Sequence, residues 1–293
     1  MTINCKGNLI DLSTPKVMGI LNITPDSFSD GGKYTQIGSI LKHTERMLKE
    51  GATFIDVGAY SSRPDAAEVS EEEEAKRIFP IVEELVKQFP EILLSIDTFR
   101  SKIAKKCIEA GAAMINDISS SELDTNMMKT VAELQVPYIM MHMRGNPQTM
   151  KNLNEYDDLV QDLIFYFSKK VNEALNLGIN DIIIDPGFGF AKTIQQNYTI
   201  LKNLRYFEIL ELPILVGISR KSTIYKSLQI EPEDALNGTT VLNTIALMNG
   251  ASDPRALAEE RNLLQVSDEG EIAAIVDQVL ADAASQKAIE DIR

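Results

Sequence analysis

Val17-Met18-Gly19-Ile20-Leu21-Asn22-Ile23-Thr24-Pro25-Asp26-Ser27-Phe28-Ser29-Asp30-Gly31-Gly32 passes from a buried strand to a polar loop within a few residues. Val17 to Leu21 is a continuous apolar run, too short for a helix, and reads as a parallel strand covered on both faces. Asn22 stands where that strand ends. Two carboxylates, two glycines and three hydroxyls then fall within the nine positions from Thr24 to Gly32. A plain connection needs only a few turn residues, so this loop at a strand end reads as a binding loop.

Outward from this stretch the same unit repeats. Further short apolar runs lie at Thr53–Val57, Ile92–Ile96, Ala113–Ile115, Tyr138–Met141, Ile182–Ile184 and Ile214–Ile218. Amphipathic segments separate them, at Ser39–Glu50, Ser70–Gln88, Ser101–Ala110, Thr125–Leu134, Tyr156–Leu177, Thr193–Leu204 and Pro232–Asn249. Gly51, Gly111, Gly178 and Gly250 follow helices as stop residues. Strand then helix, seven times over, predicts an α/β fold with parallel strands and crossover helices. An eighth unit would close a TIM-type (β/α)8 barrel. Ile3 to Leu12 reads as an N-terminal hairpin around Lys6-Gly7-Asn8 that covers the barrel floor. No Gly-rich dinucleotide turn follows the first strand, which speaks against a Rossmann fold. Residues 1–252 read as the barrel and 253–293 as an atypical C-terminal segment that could complete it.

The 293 residues are 44% hydrophobic and 25% charged, enough for one large core. No apolar run could span a bilayer, and the N-terminus lacks the pattern of a signal peptide. Cys5 and Cys107 make no disulfide framework, and Cys107 reads as a small buried hydrophobe in a helix, which fits a reduced cytoplasmic setting. The net charge of −14 argues against a nucleic-acid surface, though a few cations focused in a cleft could still bind a small anion. Five Glu between Glu68 and Glu74 read as the solvated start of a helix capped by Ser70.

The strand ends carry the chemistry. In order they supply Asn22, Asp56, Asp97, Asn116 with Asp117, His142, Asp185, and Ser219-Arg220-Lys221. In a barrel these ends converge on one face, where active sites of this fold lie. Asp97, Asn116 and Asp185 offer acceptors and one amide, a set suited to a flat heterocycle rich in N–H donors such as an aminopyrimidinone. Arg220 and Lys221 add positive charge for a carbonyl or phosphate oxygen. Asn22 offers a hard oxygen suited to Mg²⁺ shared with a phosphate. Zinc is not expected, since the chain has only two His and no donor pair at ligand spacing. Nor is a Ser–His–Asp hydrolase, since no G-x-S-x-G is present.

N-I-T-P-D-S-F-S-D-G-G resembles the signature of the dihydropteroate synthases, the folate-pathway enzymes that sulfonamides inhibit. G-A-T-F-I-D-V-G-A-Y-S-S-R-P, S-I-D-T-F, I-N-D-I, M-H-M-R-G-x-P-x-T-M, D-P-G-F-G-F-x-K, G-x-S-R-K-S and N-G-T follow in family order, from about Lys16 to Ser252. Ser62-Arg63-Pro64 stands where the family commonly has Thr-Arg-Pro. The resemblance implies that Asp97, Asn116, Asp185 and Lys221 hold a pterin ring, with Asp56 close by. It implies that Asn22 binds Mg²⁺ and the pyrophosphate, and that the Thr24–Tyr34 and Ser61–Ala67 loops close over the site. Ser62, Arg63 and Pro64 would help bind p-aminobenzoate, and Phe190, Lys221 and Ser222 would border its pocket. Asp97, Lys221 and Arg63 would carry the catalytic roles. The implied reaction joins 6-hydroxymethyl-7,8-dihydropterin pyrophosphate to p-aminobenzoate. A homodimer is also implied, with no nucleic acid and no membrane as partner. His43 sits in a surface helix and receives no role.

The family usually ends N-G-A-x-I-L-R-V-H-D-V, whereas here Asn249-Gly250-Ala251-Ser252 runs into Asp253-Pro254-Arg255-Ala256-Leu257-Ala258-Glu259-Glu260, with no R-x-H anywhere in the chain. In one reading Leu263–Asp268 forms strand eight, with Gln265 and Ser267 replacing the Arg and His. Each lost charged hydrogen bond would then cost about 1–3 kcal/mol of pyrophosphate binding. In the other reading the tail is foreign and resembles the C-terminal helical module of the tRNA-dependent amidotransferase B subunit, too acidic a fragment here to predict tRNA binding. Two alternative functions follow: a pterin-binding barrel without catalysis, and a pterin-dependent methyltransferase, which would not need the T-P-D-S-F-S-D-G-G loop.

Overall fold

The computed structural model describes residues 1–23, 33–60, 69–251 and 253–255. The chain opens with the expected hairpin, β1 (Thr2–Cys5) antiparallel to β2 (Asn8–Asp11). Its turn places Lys6 at φ +55° and Gly7 at φ +83°, the two left-handed residues that suit the twist of a tight hairpin.

Eight parallel strands follow: β3 (Met18–Asn22), β4 (Phe54–Gly58), β5 (Leu93–Asp97), β6 (Met114–Asp117), β7 (Tyr138–Met141), β8 (Ile182–Asp185), β9 (Leu215–Gly217) and β10 (Asp253–Arg255). They pair in the order β8-β7-β6-β5-β4-β3-β10-β9. A parallel bridge between Ile184 and Ile214, with Ile184 N donating to Pro213 O at 3.0 Å, joins the two ends of this sheet and closes the ring. The helices are α1 (Lys33–Lys49), α2 (Glu71–Gln88), α3 (Ser101–Glu109), α4 (Met127–Leu134), α5 (Leu159–Asn176), α6 (Ile194–Lys202), α7 (Ser222–Leu228) and α8 (Leu236–Met248). α7 was hidden in the sequence. It begins directly behind the polar Ser219-Arg220-Lys221 run, and a left-handed Gln229 (φ +54°) ends it after two turns. The four helix-ending glycines all take positive φ.

Period-two alternation sorts the strand residues onto two faces. Leu21, Ile55, Val57, Leu94, Ile96, Ile115, Tyr138, Met140 and Ile182 pack outward into one core with the helices, and Ile184 and Val216 into another. The opposite parity faces the lumen. Its lower layer is apolar: Met18, Phe54, Leu93, Met114, Ile139, Ile183 and Leu215 pack with Ile3, Cys5, Ile10 and Leu12 of the hairpin, which plugs the floor. Two residues further along, β4, β5, β6 and β8 turn the lumen polar with Asp56, Ser95, Asn116 and Asp185, whereas β3 and β7 carry Ile20 and Met141 there; the polar residues build the site.

Ser70 caps α2 by accepting from Glu73 N at 3.2 Å. The helix start is not uniformly solvated, however. Glu74 is fully buried, accepts from Thr98 Oγ1 at 2.7 Å and forms an ion pair with Arg100, which also donates to Val69 O at 2.6 Å. Glu74 lies on the same face as the apolar Ile78, and that face packs inward. Cys5 and Cys107 are free and buried, and burial pushes both thiols up to about 12. Among the described residues, no helix is long and apolar enough to cross a membrane.

Candidate active site

The polar lumen layer comes from the same parity as the apolar floor. On β4 the series Phe54, Asp56, Gly58 climbs toward the mouth; on β5 it is Leu93, Ser95, Asp97; on β6, Met114, Asn116; on β8, Ile183, Asp185. Asp56, Asn116 and Asp185 are buried, and Asp97 is half-buried. Asn116 Nδ2 donates to Asp56 Oδ2 at 3.0 Å. These two strands alternate around the ring, as expected for side chains sharing one layer of a barrel. Asp97 lies in register with both Gly58 and Asn116. A Cβ at Gly58 would sit 3.2 Å from Asp97 Oδ2, so this glycine leaves the carboxylate its place.

Asp185 Oδ1 accepts from Gly187 N at 2.7 Å. A Cβ at Gly187 (φ +73°) would fall 2.1 Å from the carbonyl oxygen of His142, so only glycine lets this turn approach the end of β7. Lys221 occupies the N-cap position of α7. Its Nζ donates to Phe188 O and lies 4.9 Å from the centre of the Phe190 ring, a cation–π contact. Phe190 is half-buried beside Ile118, Met141, Met143 and Met150. Ser222 is the first residue of α7 and half-buried. Arg220 is left-handed (φ +48°), with its backbone N donating to Thr239 Oγ1 at 3.0 Å. Asn22 ends β3, exposed and in register with Gly58. Asn22, Asp56, Asp97, Asn116, Asp185 and Lys221 thus lie at or near the C-terminal ends of the strands, on the face where barrel enzymes carry their sites. Ser62, Arg63, Pro64 and the Thr24–Gly32 part of the first loop lie outside the described residues.

Two strand-end residues take other places. Asp117 has the parity of Ile115 and faces the helices. Its carboxylate accepts from Ser119 N (2.8 Å), Ser119 Oγ (2.7 Å), Ser121 N (2.7 Å) and Tyr138 Oη (2.7 Å). Burial pushes this carboxyl up and these bonds oppose the rise, so Asp117 is a structural anchor. His142 also points away from the lumen. It is buried, meets the Tyr166 ring edge-on at 4.8 Å between centres, and has Nδ1 3.0 Å from Lys192 Nζ. Burial, then the Lys192 and Arg144 charges, hold its pKa well below the ordinary histidine value.

Two further residues were passed over in the sequence. Lys192 stood in D-P-G-F-G-F-x-K but received no role. The other is Arg255, which ends β10 in register with Gly217 and Met18. The eighth place in the ring is filled by Asp253–Arg255, ahead of Leu263–Asp268, which lies outside the described residues along with Gln265 and Ser267. Counted from Asn249-Gly250-Ala251, Arg255 falls on the Arg of the family ending and Leu257 on its His. That spacing was the available signal; the missing His obscured it.

A closed parallel barrel with an acceptor-rich mouth defines the class, and comparison agrees. Residues 18–255 match the pterin binding enzyme family, and residues 232–293 also match the GatB domain, as the tail resemblance implied. The chain belongs to the pterin binding enzyme family. The dihydropteroate synthase of Escherichia coli K12 is 42% identical over 253 residues, covering 86% of this chain and 89% of the relative. A crystal structure of Yersinia pestis dihydropteroate synthase with a sulfonamide drug complex superposes with a TM-score of 0.81 at 40% identity, covering 96% of this chain and 98% of that one. The Xanthomonas albilineans dihydropteroate synthase with 4-aminobenzoic acid gives a TM-score of 0.81 at 35% identity, covering 98% of each chain. Within the family this chain falls among the dihydropteroate synthases, transferases of folate biosynthesis.

Proposed function

We propose that the chain joins 6-hydroxymethyl-7,8-dihydropterin pyrophosphate to p-aminobenzoate through the strand-end residues described above. The observation that carries the assignment is the convergence of Asp56, Asp97, Asn116 and Asp185 with Lys221 at one mouth. The three carboxylates and the amide accept from the pterin's ring N–H and amino groups, while Lys221 donates to its carbonyl or ring nitrogen. Phe190 and Ser222, with Ser62, Arg63 and Pro64, border the p-aminobenzoate.

The methylene C–O bond to pyrophosphate breaks as the aniline nitrogen forms the new C–N bond, and the aniline proton leaves to solvent or to the departing pyrophosphate. Negative charge grows on the leaving group, where Arg63 and Arg255 supply compensation. The methylene becomes cation-like, and the electron-rich pterin, held by carboxylates, spreads that charge. The protein's part is to align the two substrates, exclude water and hold charge.

Among the described residues, no group of three or more His, Cys, Asp or Glu could hold a metal alone. Exposed Asn22 fits Mg²⁺ nevertheless, since that ion keeps several waters and needs only one or two protein oxygens when substrate phosphates share it. When bound it would neutralise pyrophosphate charge. The exposed Tyr206, Ile209 and Met248 support a homodimer, which sedimentation of the purified chain would test. The protein acts in the cytoplasm on small molecules, with no nucleic-acid or membrane partner.

A second reading, pterin binding without turnover, is favoured by one observation: Leu257 stands where the family has His. Titration of the wild type, Asp97→Ala and Lys221→Ala with the pterin tests the pocket. Loss of binding in both variants is expected; wild-type affinity in both would move the site elsewhere.

A further inference from the structure

Lys192 makes four polar contacts beside the mouth. Its Nζ is 3.1 Å from Gly187 O, 3.0 Å from Phe190 O, 3.4 Å from His142 O and 3.0 Å from His142 Nδ1. An ammonium has three donors, and these acceptors belong to two segments far apart in sequence. The lysine therefore ties the Gly187–Phe190 turn to the end of β7. The same turn holds both kinds of pocket residue: Gly187 N donates to Asp185 Oδ1, Phe188 O accepts from Lys221, and the Phe190 ring lies against Lys221 Nζ. Asn197 braces its far side, accepting from Gly189 N at 2.8 Å.

We propose that Lys192 is a positioning residue for the reaction, fixing the Gly187–Phe190 turn so that Asp185 and Lys221 address the same pterin ring. The proposal rests on the reading that these two residues bind the pterin. Lys192 touches neither substrate; it acts through the turn. A displacement of about 1 Å in such a frame can cost on the order of a hundredfold in rate. The electrostatic setting is consistent. Burial, with the positive Lys221 and Arg144 opposed by Asp185, holds the Lys192 ammonium well below its ordinary pKa. The groups facing it are His142 and Arg144 from the end of β7, Asp185 from β8 and Lys221 from α7. Tyr156 stands near, with its hydroxyl on Ala191 O at 2.9 Å.

The test uses the full chain with Lys192→Met, which keeps length and removes the donors. Pterin affinity is expected to weaken about thirtyfold, with a smaller rise in the KM for p-aminobenzoate through Phe190 of the same turn. Wild-type pterin affinity in the folded variant, or an equal change in both constants, would overturn the proposal. The wild type should also lose pterin affinity as pH rises through the lowered pKa of Lys192, because the ammonium surrenders its charge and a donor. If Lys192→Met does not fold, Lys192→Arg carries the test, since its charge persists and its profile stays level through that rise. Parallel profiles would overturn the proposal. Asp185→Asn, measured alongside, separates the two claims: wild-type pterin affinity there would sink the pocket reading itself, whatever Lys192 does.

Discussion

Strands β4, β5, β6 and β8 each lift a polar side chain into the lumen directly above an apolar one, whereas β10 is only three residues long and ends at Arg255. On the first side, the residues proposed to recognise the pterin are part of the barrel's own packing. Asn116 donates to Asp56, Gly58 makes room for Asp97, and Gly187 closes on Asp185. On the second side, the charge proposed to meet pyrophosphate is that of Arg255, which belongs to a strand of three residues. A change of two or three residues there should alter phosphate handling while the ring of strands still closes. The pterin pocket and the phosphate end can therefore be separated by mutation.

The largest expected effect is on the first side. Asp97→Ala and Lys221→Ala should each weaken pterin binding by about a hundredfold or more, the equivalent of about 3 kcal/mol for a charge-assisted hydrogen bond lost from a half-buried site. Direct titration would show it, and a loss confined to turnover would blur the contrast. Arg63→Ala should do the reverse: pterin affinity within about twofold of wild type, and turnover reduced about a hundredfold as compensation for the leaving group is removed.

Leu257→His sharpens the comparison from the other side. Placing an imidazole two positions after Arg255 should raise kcat/KM for the pyrophosphate about tenfold and leave affinity for the pterin alcohol unchanged. Steady-state kinetics with both ligands would separate these. Glu74→Gln removes one half of a buried pair and strands the Arg100 charge, which should cost about 3 kcal/mol of stability, read by thermal or urea unfolding.

The smallest effect is one of pH. Because His142 is held neutral in the fold, the unfolded chain takes up a proton below about pH 6.5 that the folded chain refuses. Stability should thus fall as pH drops through that region, by at most about 1.4 kcal/mol per unit, and His142→Gln should flatten the slope. An unchanged slope would mean that other groups dominate.

Much of this was legible in the sequence, for physical reasons. Parallel strands buried on both faces leave unbroken apolar runs, so seven barrel strands stood out, and glycines marked four helix ends. The polar residue closing each run pointed to the mouth. Asp117 and His142 misled because a strand end reveals position along the barrel but not facing, which only parity within the strand decides. Glu74 was hidden among exposed neighbours, since a charge run says nothing of which member turns inward. Strand eight was missed because Asp253-Pro254-Arg255 lacks an apolar run; neighbours on both sides recruit it into the ring. Lys192 could not be singled out, since its importance lies in contacts with a segment fifty residues away.

The most direct test of the account is to incubate the purified chain with Mg²⁺, the pterin pyrophosphate and p-aminobenzoate, and to follow 7,8-dihydropteroate itself. Product should form, with a raised KM for the pyrophosphate that Leu257→His lowers. Tight pterin binding with no product at saturating substrates would contradict it and leave a barrel that recognises the ring without performing the transfer.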